Sequence, residues 1–357
     1  MAKTGKGINT LLALLVLLLV TAGCVFGGYT FVNNAKKEFA AAEAKLPESA
    51  ISDYLLKIRN QRFDEIYEDS LVVAPHLNAK EDYIATLKEI YANADTSRIE
   101  FAPAEEGDNT YTLVYNHKYL ATLKLLQAAD GTWKASTVFA GNNDYIVEVP
   151  AGLKITVNGI ELSGDYILEK NVTASNFLGL RDTTGAPKVD RYELTNLLAK
   201  PVIRVVGKTG YTTLDDVLSN TIFVGRDAQS PELARVFIDD IKICAQFPAQ
   251  ESSLGAVASV SITNSDWYER IRTMQNTWFT SHGTSRFSNE TARNIIQQSD
   301  DTMVGYVTFD YYASNGEVSR TWNSGFQVTF MKQGGIWKIA GMAVDSTLNP
   351  AAEKRND

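Results

Sequence analysis

Three side chains near the C-terminal end of the sequence have the types and the spacing for acid–base chemistry. Tyr306, Asp310 and Tyr312 lie an even number of residues apart in a predicted strand, so they share one face of it. A carboxyl group in an apolar pocket has a raised pKa and can move protons. These residues are therefore the candidate catalytic set. Asp310 also lies near a strand end, and exposure on the outer face is the alternative interpretation.

The histidines of the sequence, His76, His117 and His282, are interpreted as solvated loop residues. They fall in separate segments and lack the spacing of metal ligands. Ser281, His282 and Asp266 would form a hydrolytic set only if they converged, and no G-x-S-x-G turn supports this. The sequence also contains no Ser-x-x-Lys acylation motif and no phosphate-binding glycine loop. We therefore expect no metal, no cofactor and no enzymatic activity.

The C-terminal third also contains four tryptophans that are able, in principle, to stack on sugars: Trp267, Trp278, Trp322 and Trp337. Large aromatic residues of an α+β domain more often fill its core, and we favour that interpretation. The acidic pairs Asp239-Asp240, Asp64-Glu65 and Glu68-Asp69 lack the oxygen-ligand periodicity of a calcium loop. They are predicted to be solvated helix faces.

The first block of elements, residues 48–140, is predicted to contain helices followed by an antiparallel sheet. Ile51, Tyr54, Leu55 and Ile58 recur at helical spacing. A short helix at Asp64–Asp69 follows, and Asn78 is the predicted cap of a third helix. Strands are then predicted at Thr110–Tyr115, Tyr119–Gln127 and Thr132–Phe139. Helices followed by an antiparallel sheet make an α+β domain.

Residues 141–228 are predicted to form a small β-sandwich-like module. Short strands alternate with turns, and Asn158-Gly159 is the strongest hairpin signal in the sequence. Thr221–Val224 is a candidate closing strand.

Residues 229–346 return to helices followed by strands, and 347–357 is a tail. Pro231 starts a helix that contains Cys244, and Gln250 to Ala258 is predicted to be a loop. Asn264–Asp266 is predicted to cap a second helix, in which Trp267, Ile271, Met274 and Trp278 recur at helical spacing. The predicted strands are Met303–Tyr312, Ser319–Met331 and Ile336–Val344.

An uncharged apolar stretch, Leu11–Val32, precedes these blocks. Its 22 residues are long enough for a transmembrane helix across about 30 Å of hydrocarbon. Thr21–Cys24 ends like a lipobox, so lipidation at Cys24 is an alternative, and cleavage after Ala22 is another. The aromatic continuation through Tyr29 favours the span. We expect a short cytoplasmic head (1–10), the span (11–32) and a stalk (33–47).

Composition restricts the class of partner. The sequence has a net charge of −8, and without Lys3 and Lys6 its 32 basic residues face 42 acidic ones. An acidic surface repels phosphate backbones, so we expect no nucleic acid partner. Only Cys24 and Cys244 are present, and they are not expected to pair. The lack of disulfides favours a bacterial, most simply Gram-positive, surface protein over a eukaryotic ectodomain.

A repeated turn suggests a family. Asp130–Ala135 reads DGTWKA and Gly334–Ile339 reads GGIWKI, and each opens the last strand of a helices-then-sheet block. This order resembles the NTF2-like fold. The first copy resembles the NTF2-like domain of certain Gram-positive penicillin-binding proteins, and the segments that carry this resemblance are Tyr54–Lys57, Phe63–Tyr67, Lys80–Tyr91 and Gly131–Lys134.

The β module, with Val149-Pro150 and Ile155–Gly159, resembles the small β domains of membrane-anchored TcaA-type cell-wall proteins. The chain departs from them because it has no cytoplasmic zinc-ribbon cysteines, and it has no penicillin-binding domain. The resemblance implies two NTF2-like α+β domains that flank a small all-β module. It also implies binding or scaffolding at the cell wall, linked to wall synthesis or antibiotic response.

We therefore expect a non-enzymatic, single-pass protein of the cell membrane. Its N-terminus is expected in the cytoplasm and its bulk outside, where its partner is an envelope protein or a wall component. The alternative is an NTF2-fold protein whose third domain binds a small apolar ligand, or isomerises or hydrates it. NTF2-like cavities that do chemistry carry an acid or base and a tyrosine, which here are Asp310, Tyr306 and Tyr312.

Overall fold

The computed structural model describes most of the chain after the apolar stretch, namely residues 34–38, 40, 42–43, 45–104, 107–139, 141, 143–274 and 282–352. The predicted span with Cys24, the head, Trp278 and Ser281 lie outside these residues. Within the described ranges, no helix is long and apolar enough to cross a bilayer. The chain divides into two compact units, unit 1 ending at Ala140 and unit 2 beginning at Gly141.

In unit 1, residues 34–38 are helical, and three later helices each bury one apolar stripe. They are α1 (Pro47–Arg59), α2 (Phe63–Val73) and α3 (Lys80–Tyr91). Proline in the first turn of α1 suits a helix start, since an N–H there has no helical partner.

Two predictions about these helices were wrong. Helix α2 runs past Asp69, because Ser70 and Val73 continue its buried face. The predicted cap was one residue early: Ala79 occupies the N-cap position of α3 with no side-chain capping bond.

The sheet of unit 1 is an antiparallel meander in chain order. Its strands are β1 (Glu100–Pro103), β2 (Thr110–Tyr115), β3 (Lys118–Gln127) and β4 (Trp133–Val138). Strand β1 was not predicted, because all four of its residues are exposed and leave no alternating pattern. Asn116 and His117 form the predicted turn with φ of 51° and 61°.

The G-x-W-K turn ties the sheet of unit 1 to its helices. The indole N–H of Trp133 donates to the carbonyl oxygen of Lys45 at 3.1 Å. Lys134 Nζ lies 2.5 Å from Asp69 Oδ1, and Lys57 Nζ lies 2.8 Å from Asp69 Oδ2. Asp69 is therefore a shielded ion-pair centre, which corrects its assignment to a solvated face.

Unit 2 is built on a nine-stranded sheet, with a separate three-stranded sheet beside it in the fold. The order of the large sheet is β16-β15-β14-β13-β12-β5-β9-β8, with β11 also paired to β12, and the small sheet has the order β10-β6-β7. The bounds of the strands are β5 (Asn143–Pro150), β6 (Ile155–Val157), β7 (Ile160–Glu161), β8 (Ile167–Thr173), β9 (Lys188–Leu197), β10 (Ile203–Val205), β11 (Tyr211–Asp215), β12 (Thr221–Asp227), β13 (Thr284–Ser299), β14 (Thr302–Ser314), β15 (Ser319–Gln333) and β16 (Ile336–Val344).

Strand β12 joins the module strands to the long C-terminal strands. Its first residues, Thr221–Phe223, pair in parallel with β5, and Arg226 and Asp227 pair antiparallel with β13. The strand predicted at Thr221–Val224 is thus confirmed. It also joins the strands of residues 141–228 to the long strands that follow residue 283. In the small sheet, Asn158 and Gly159 form the predicted hairpin turn with φ of 50° and 87°.

The helices of unit 2 cover one face of β13–β16. They are α4 (Pro231–Gln246), α5 (Leu254–Val260) and α6 (Asp266–Ile271). Each begins at a serine whose hydroxyl accepts a backbone N–H: Ser230, Ser253 and Ser265. The loop predicted at Gln250–Ala258 was wrong from Leu254 onward, because the small-residue run that Ser253 caps is helical.

Strand β13 was missed altogether from the sequence. Its register against β14 shifts between Ser288 and Thr291 and again between Arg293 and Ile296. Asn289 and Asn294 take φ of 54° at these bulges. Each bulge moves later side chains to the opposite face and bends the strand, so the period-two pattern is interrupted.

Candidate functional site

An apolar cavity of about 320 Å³ lies between the helices of unit 2 and its sheet. Alternate residues of two strands face this cavity, namely Phe309 and Tyr311 of β14 and Trp322 and Phe326 of β15. The remaining described lining residues are Cys244, Ala245, Pro248, Ala249, Trp267, Ile271, Met274, Ser324, Met342 and Val344. Its chemistry suits hydrocarbon or aromatic groups, and the methionines allow the wall to adapt.

A hydrogen-bonded group beside the cavity, called here the polar wall, consists of Tyr311, which lines the cavity, and of Glu251 and His282 behind it. The Tyr311 hydroxyl donates to Glu251 Oε2 at 2.8 Å, and His282 Nε2 lies 2.8 Å from Glu251 Oε1. Burial raises the pKa of Glu251, but hydrogen bonds from Ser285, His282 and Tyr311 outweigh it, so the pKa falls below its ordinary value. Burial and the carboxylate raise the pKa of Tyr311. The carboxyl is thus ionised and the phenol protonated at neutral pH.

The predicted catalytic carboxylate lies on the opposite face of β14 from the cavity. Asp310 is 8% exposed and accepts hydrogen bonds from Asn289, Asn323 and Asn349 at 2.7, 2.8 and 3.1 Å. Burial raises its pKa, but the three amide donors prevail and lower it. The raised pKa that the sequence predicted for Asp310 is therefore not found. The carboxylate instead joins three asparagine side chains through hydrogen bonds, which is a structural role.

The two tyrosines of the predicted set share the Asp310 face. The Tyr306 hydroxyl donates to the carbonyl oxygen of Asp215, and its ring is buried. The guanidinium of Arg286 lies over the Tyr312 ring, 4.5 Å from its centroid. The structure therefore places all three residues on one face, as predicted, and none of them lines the cavity.

Two of the three histidines have partners that a solvated loop would not provide. His76 stacks on Tyr83 with centroids 4.9 Å apart, and His282 belongs to the polar wall. His117 is exposed in its turn. The prediction of solvated histidines is thus corrected for His76 and His282.

His76 also lies 2.9 Å from Ser70, a pair that resembles a nucleophile and its base. Its Nδ1 accepts the backbone N–H of Asn78 at 3.2 Å, so the neutral ring carries its proton on Nε2. The Ser70 hydroxyl donates to the carbonyl oxygen of Tyr67 at 2.6 Å. The ring therefore donates to Ser70 and does not activate it. Burial lowers the pKa of His76, which preserves this neutral arrangement.

In helix α4, the structure corrects the interpretation of Asp239-Asp240 as a solvated helix face. Asp240 is half-buried, and burial together with the charge of Asp239 raises its pKa to about 7. Cys244, one turn later, is 1% exposed, and burial raises the pKa of its thiol to about 12. The thiol is therefore inert as a nucleophile at neutral pH. The solvated-face interpretation of Asp240 was wrong.

A polar cleft of about 290 Å³ lies in the same unit. Ser219, Asp216, Gln327 and Thr329 supply hydroxyl, carboxylate and amide groups, and Arg270 of α6 supplies a cation. The part of the chain that the structure describes holds no group of three or more His, Cys, Asp or Glu side chains arranged for a metal.

Sequence reasoning missed the polar wall. Phe309 and Tyr311 alternate with Asp310, so the strand pattern already placed them on the other face. No pattern pointed to Glu251 or His282, which lie 60 and 29 residues from Tyr311 in the sequence. Of the four tryptophans, Trp267 is buried as predicted and also lines the cavity, and Trp322 lines it from β15.

No protein-family model and no curated protein matches this sequence. Among solved structures, the chain is similar to an NTF2-like protein involved in plasmid conjugation, with a TM-score of 0.25. The two are 9% identical, and the match covers 81% of this chain and 97% of that one. A TM-score this low establishes neither a shared fold nor a shared function. The α+β class stands on the helices and sheets described above.

Proposed function

We propose that this chain is a non-enzymatic binding protein of the bacterial cell envelope and that unit 2 binds an apolar group in its cavity. The apolar cavity between Phe309, Trp322 and the helices is the observation that carries the proposal. Burying an apolar group there removes it from water without leaving polar groups unpaired. Each buried CH₂ contributes about 0.8 kcal/mol.

The pKa values of the titratable side chains Glu251 and Tyr311 support a binding function rather than a catalytic one. Efficient proton transfer needs a group whose pKa lies near the working pH. The pKa of Glu251 is lowered and that of Tyr311 is raised, so both move away from neutrality. Asp310 lies behind the strand, where three asparagine amides hold it ionised.

The envelope location and the tether are the second part of the proposal. The apolar stretch 11–32 with an acidic bulk after it supports a single span, with binding or scaffolding outside the cell. Helices packed on one face of antiparallel strands in each unit, β1–β4 in unit 1 and β13–β16 in unit 2, support the interpretation as two NTF2-like domains. Intact-mass measurement of membrane-extracted protein tests the anchor, because a mature chain that starts at a diacylated Cys24 contradicts the span.

A binding experiment tests the cavity. Radiolabelled 1-octanol is dialysed to equilibrium against the full-length chain in nanodiscs, with empty nanodiscs as the blank. Eight buried carbons contribute about 6 kcal/mol, which corresponds to a dissociation constant on the order of 0.1 mM. Ser324→Phe fills the cavity and is expected to weaken binding at least about tenfold, since the added ring occupies the space of the ligand.

Ser319→Phe is the matched control. Ser319 lies on the same strand as Ser324 but is exposed at its start, away from the cavity. It should bind 1-octanol like the unchanged protein. Equal binding by all three proteins, or none by the unchanged one, contradicts the proposal.

A further inference from the structure

The apolar cavity and the polar cleft share part of their walls. Trp267 and Met342 line both spaces. The cavity holds about 320 Å³ and the cleft about 290 Å³, so the two are of similar size. An apolar space and a polar space on either side of one tryptophan match a ligand that has both kinds of group.

The polar cleft is close to electrically balanced. Arg270 is exposed and has no ion pair within the described ranges, whereas Asp266 lies 3.4 Å from Arg181. Asp216 accepts from the Gln327 amide at 2.8 Å and from the Ser219 hydroxyl at 2.7 Å. One free cation beside one hydrogen-bonded carboxylate leaves little net charge, so an uncharged polar group suits this space better than an ion.

The cleft residues present donors and acceptors for hydroxyl groups. The indole N–H of Trp267 is buried and lacks a hydrogen-bond partner among the described residues. The amide oxygen of Asn176 is unpartnered too, while its nitrogen donates to Gln298 Oε1 at 2.9 Å. Buried polar atoms of this kind destabilise a protein until a water or a ligand satisfies them. Hydroxyl groups both donate and accept, so they match both atoms.

We propose that unit 2 binds a neutral amphiphile, with a single apolar chain in the cavity and a hydroxyl-rich head, such as a sugar, in the polar cleft. This inference rests on the proposed function, because the apolar part uses the same cavity. It adds the class of the head group and assigns Arg270 and Trp267 to its recognition. Arg270 donates to head hydroxyls, and Trp267 separates the head from the chain.

Three probes separate this inference from apolar binding alone. Octyl glucoside below its critical micelle concentration, 1-octanol and glucose are dialysed against the full-length chain in nanodiscs, with empty nanodiscs as the blank. Binding that the cavity-filling variant Ser324→Phe loses is assigned to the cavity. Octyl glucoside is expected to bind at least tenfold more tightly than 1-octanol, and glucose alone only weakly.

A matched pair of substitutions tests the head. Arg270→Gln removes the free cation of the cleft and should reduce octyl glucoside binding threefold or more, while 1-octanol binding stays unchanged. Arg272→Gln is the control, because Arg272 is paired with Glu269 at 2.8 Å and lines neither space.

The outcomes are distinct. If 1-octanol and octyl glucoside bind equally, or if Arg270→Gln has no more effect than Arg272→Gln, the amphiphile inference is overturned and the apolar site remains. If neither probe shows binding that Ser324→Phe abolishes, the proposed function fails as well.

Discussion

Asp310 and Tyr311 are neighbours in the chain, yet their side chains serve opposite faces of β14. Tyr311 lines the apolar cavity and donates to Glu251 at 2.8 Å, whereas Asp310 accepts from three asparagine amides behind the sheet. Two neighbouring residues of the strand therefore face an apolar cavity on one side and a hydrogen-bond cluster on the other.

Asp310→Asn should destabilise unit 2 by about 1–3 kcal/mol and leave 1-octanol binding unchanged. The new amide nitrogen would face Asn289 if it replaced Oδ2, or Asn323 and Asn349 if it replaced Oδ1, so at least one buried donor would lose its acceptor. Urea denaturation followed by tryptophan fluorescence measures this, since four of the five tryptophans belong to unit 2. A stable variant that loses 1-octanol binding would instead assign Asp310 to the ligand site.

Asp240→Asn should stabilise unit 2 at alkaline pH. The folded pKa of Asp240 is raised to about 7, above the unfolded value of about 3.9, so the folded state binds its proton more tightly. The resulting stability is full below about pH 4 and is lost as the pH rises through 7. Allowing for solvent screening of this half-buried group, the gain at pH 8 is on the order of 2 kcal/mol.

Urea midpoints at pH 4, 6 and 8 check this prediction against Asp239→Asn, which should gain less because it relieves only the charge repulsion and not the burial of Asp240. The gain should grow with pH and be small at pH 4. A variant that is less stable than the unchanged protein at pH 8 would mean that the carboxylate has a stabilising partner.

Unit 1 should lose stability on acidification because of His76. Burial lowers its folded pKa below 6.5, so the unfolded state binds the proton more tightly. The contribution of His76 is full above pH 6.5 and is lost as the pH falls through the lowered folded pKa. A titration of the imidazole carbon-bound protons by NMR should give His76 a pKa below 6.5. A value above 6.5 would contradict the donor arrangement with Ser70 and Asn78.

Gly325→Ala should destabilise unit 2 by about 1–3 kcal/mol or more, because it overpacks the sheet. A Cβ on Gly325 would lie 2.2 Å from the carbonyl oxygen of Asp345, which is backbone and yields little. Gly164→Ala is the control, since a Cβ there meets nothing within 4 Å and its φ is not positive. Thermal unfolding of both variants compares them, and equal midpoints would contradict the close approach of the two chain segments.

Local chemistry made several elements predictable from the sequence. The turns at Asn116-His117 and Asn158-Gly159 need residues that adopt positive φ, and asparagine and glycine do so at little cost. The faces of α1 and α4 followed from helical spacing, because a buried stripe must repeat every three to four residues. These signals act over a few residues, so the sequence alone carries them.

The site depended on contacts between distant segments. Alternation determined that Asp310 and Tyr311 face opposite ways, but which face meets the helices depends on how α4 and α6 pack. The pairing of β12 with both β5 and β13 joins strands about 70 residues away on either side. The partners of Glu251, which are His282 and Tyr311, likewise come from a loop and a strand farther along the chain.

The sequence by itself determined the α+β class, the hairpin turns and the apolar stretch 11–32, since these rest on local periodicity and residue type. Only the tertiary structure decided which side of β14 encloses a cavity and which carboxylate lies beside it. The physical reason is that burial and pKa are set by neighbours in space. Bulges at Asn289 and Asn294 also shift the face on which later residues of β13 appear, which a strict period of two does not anticipate.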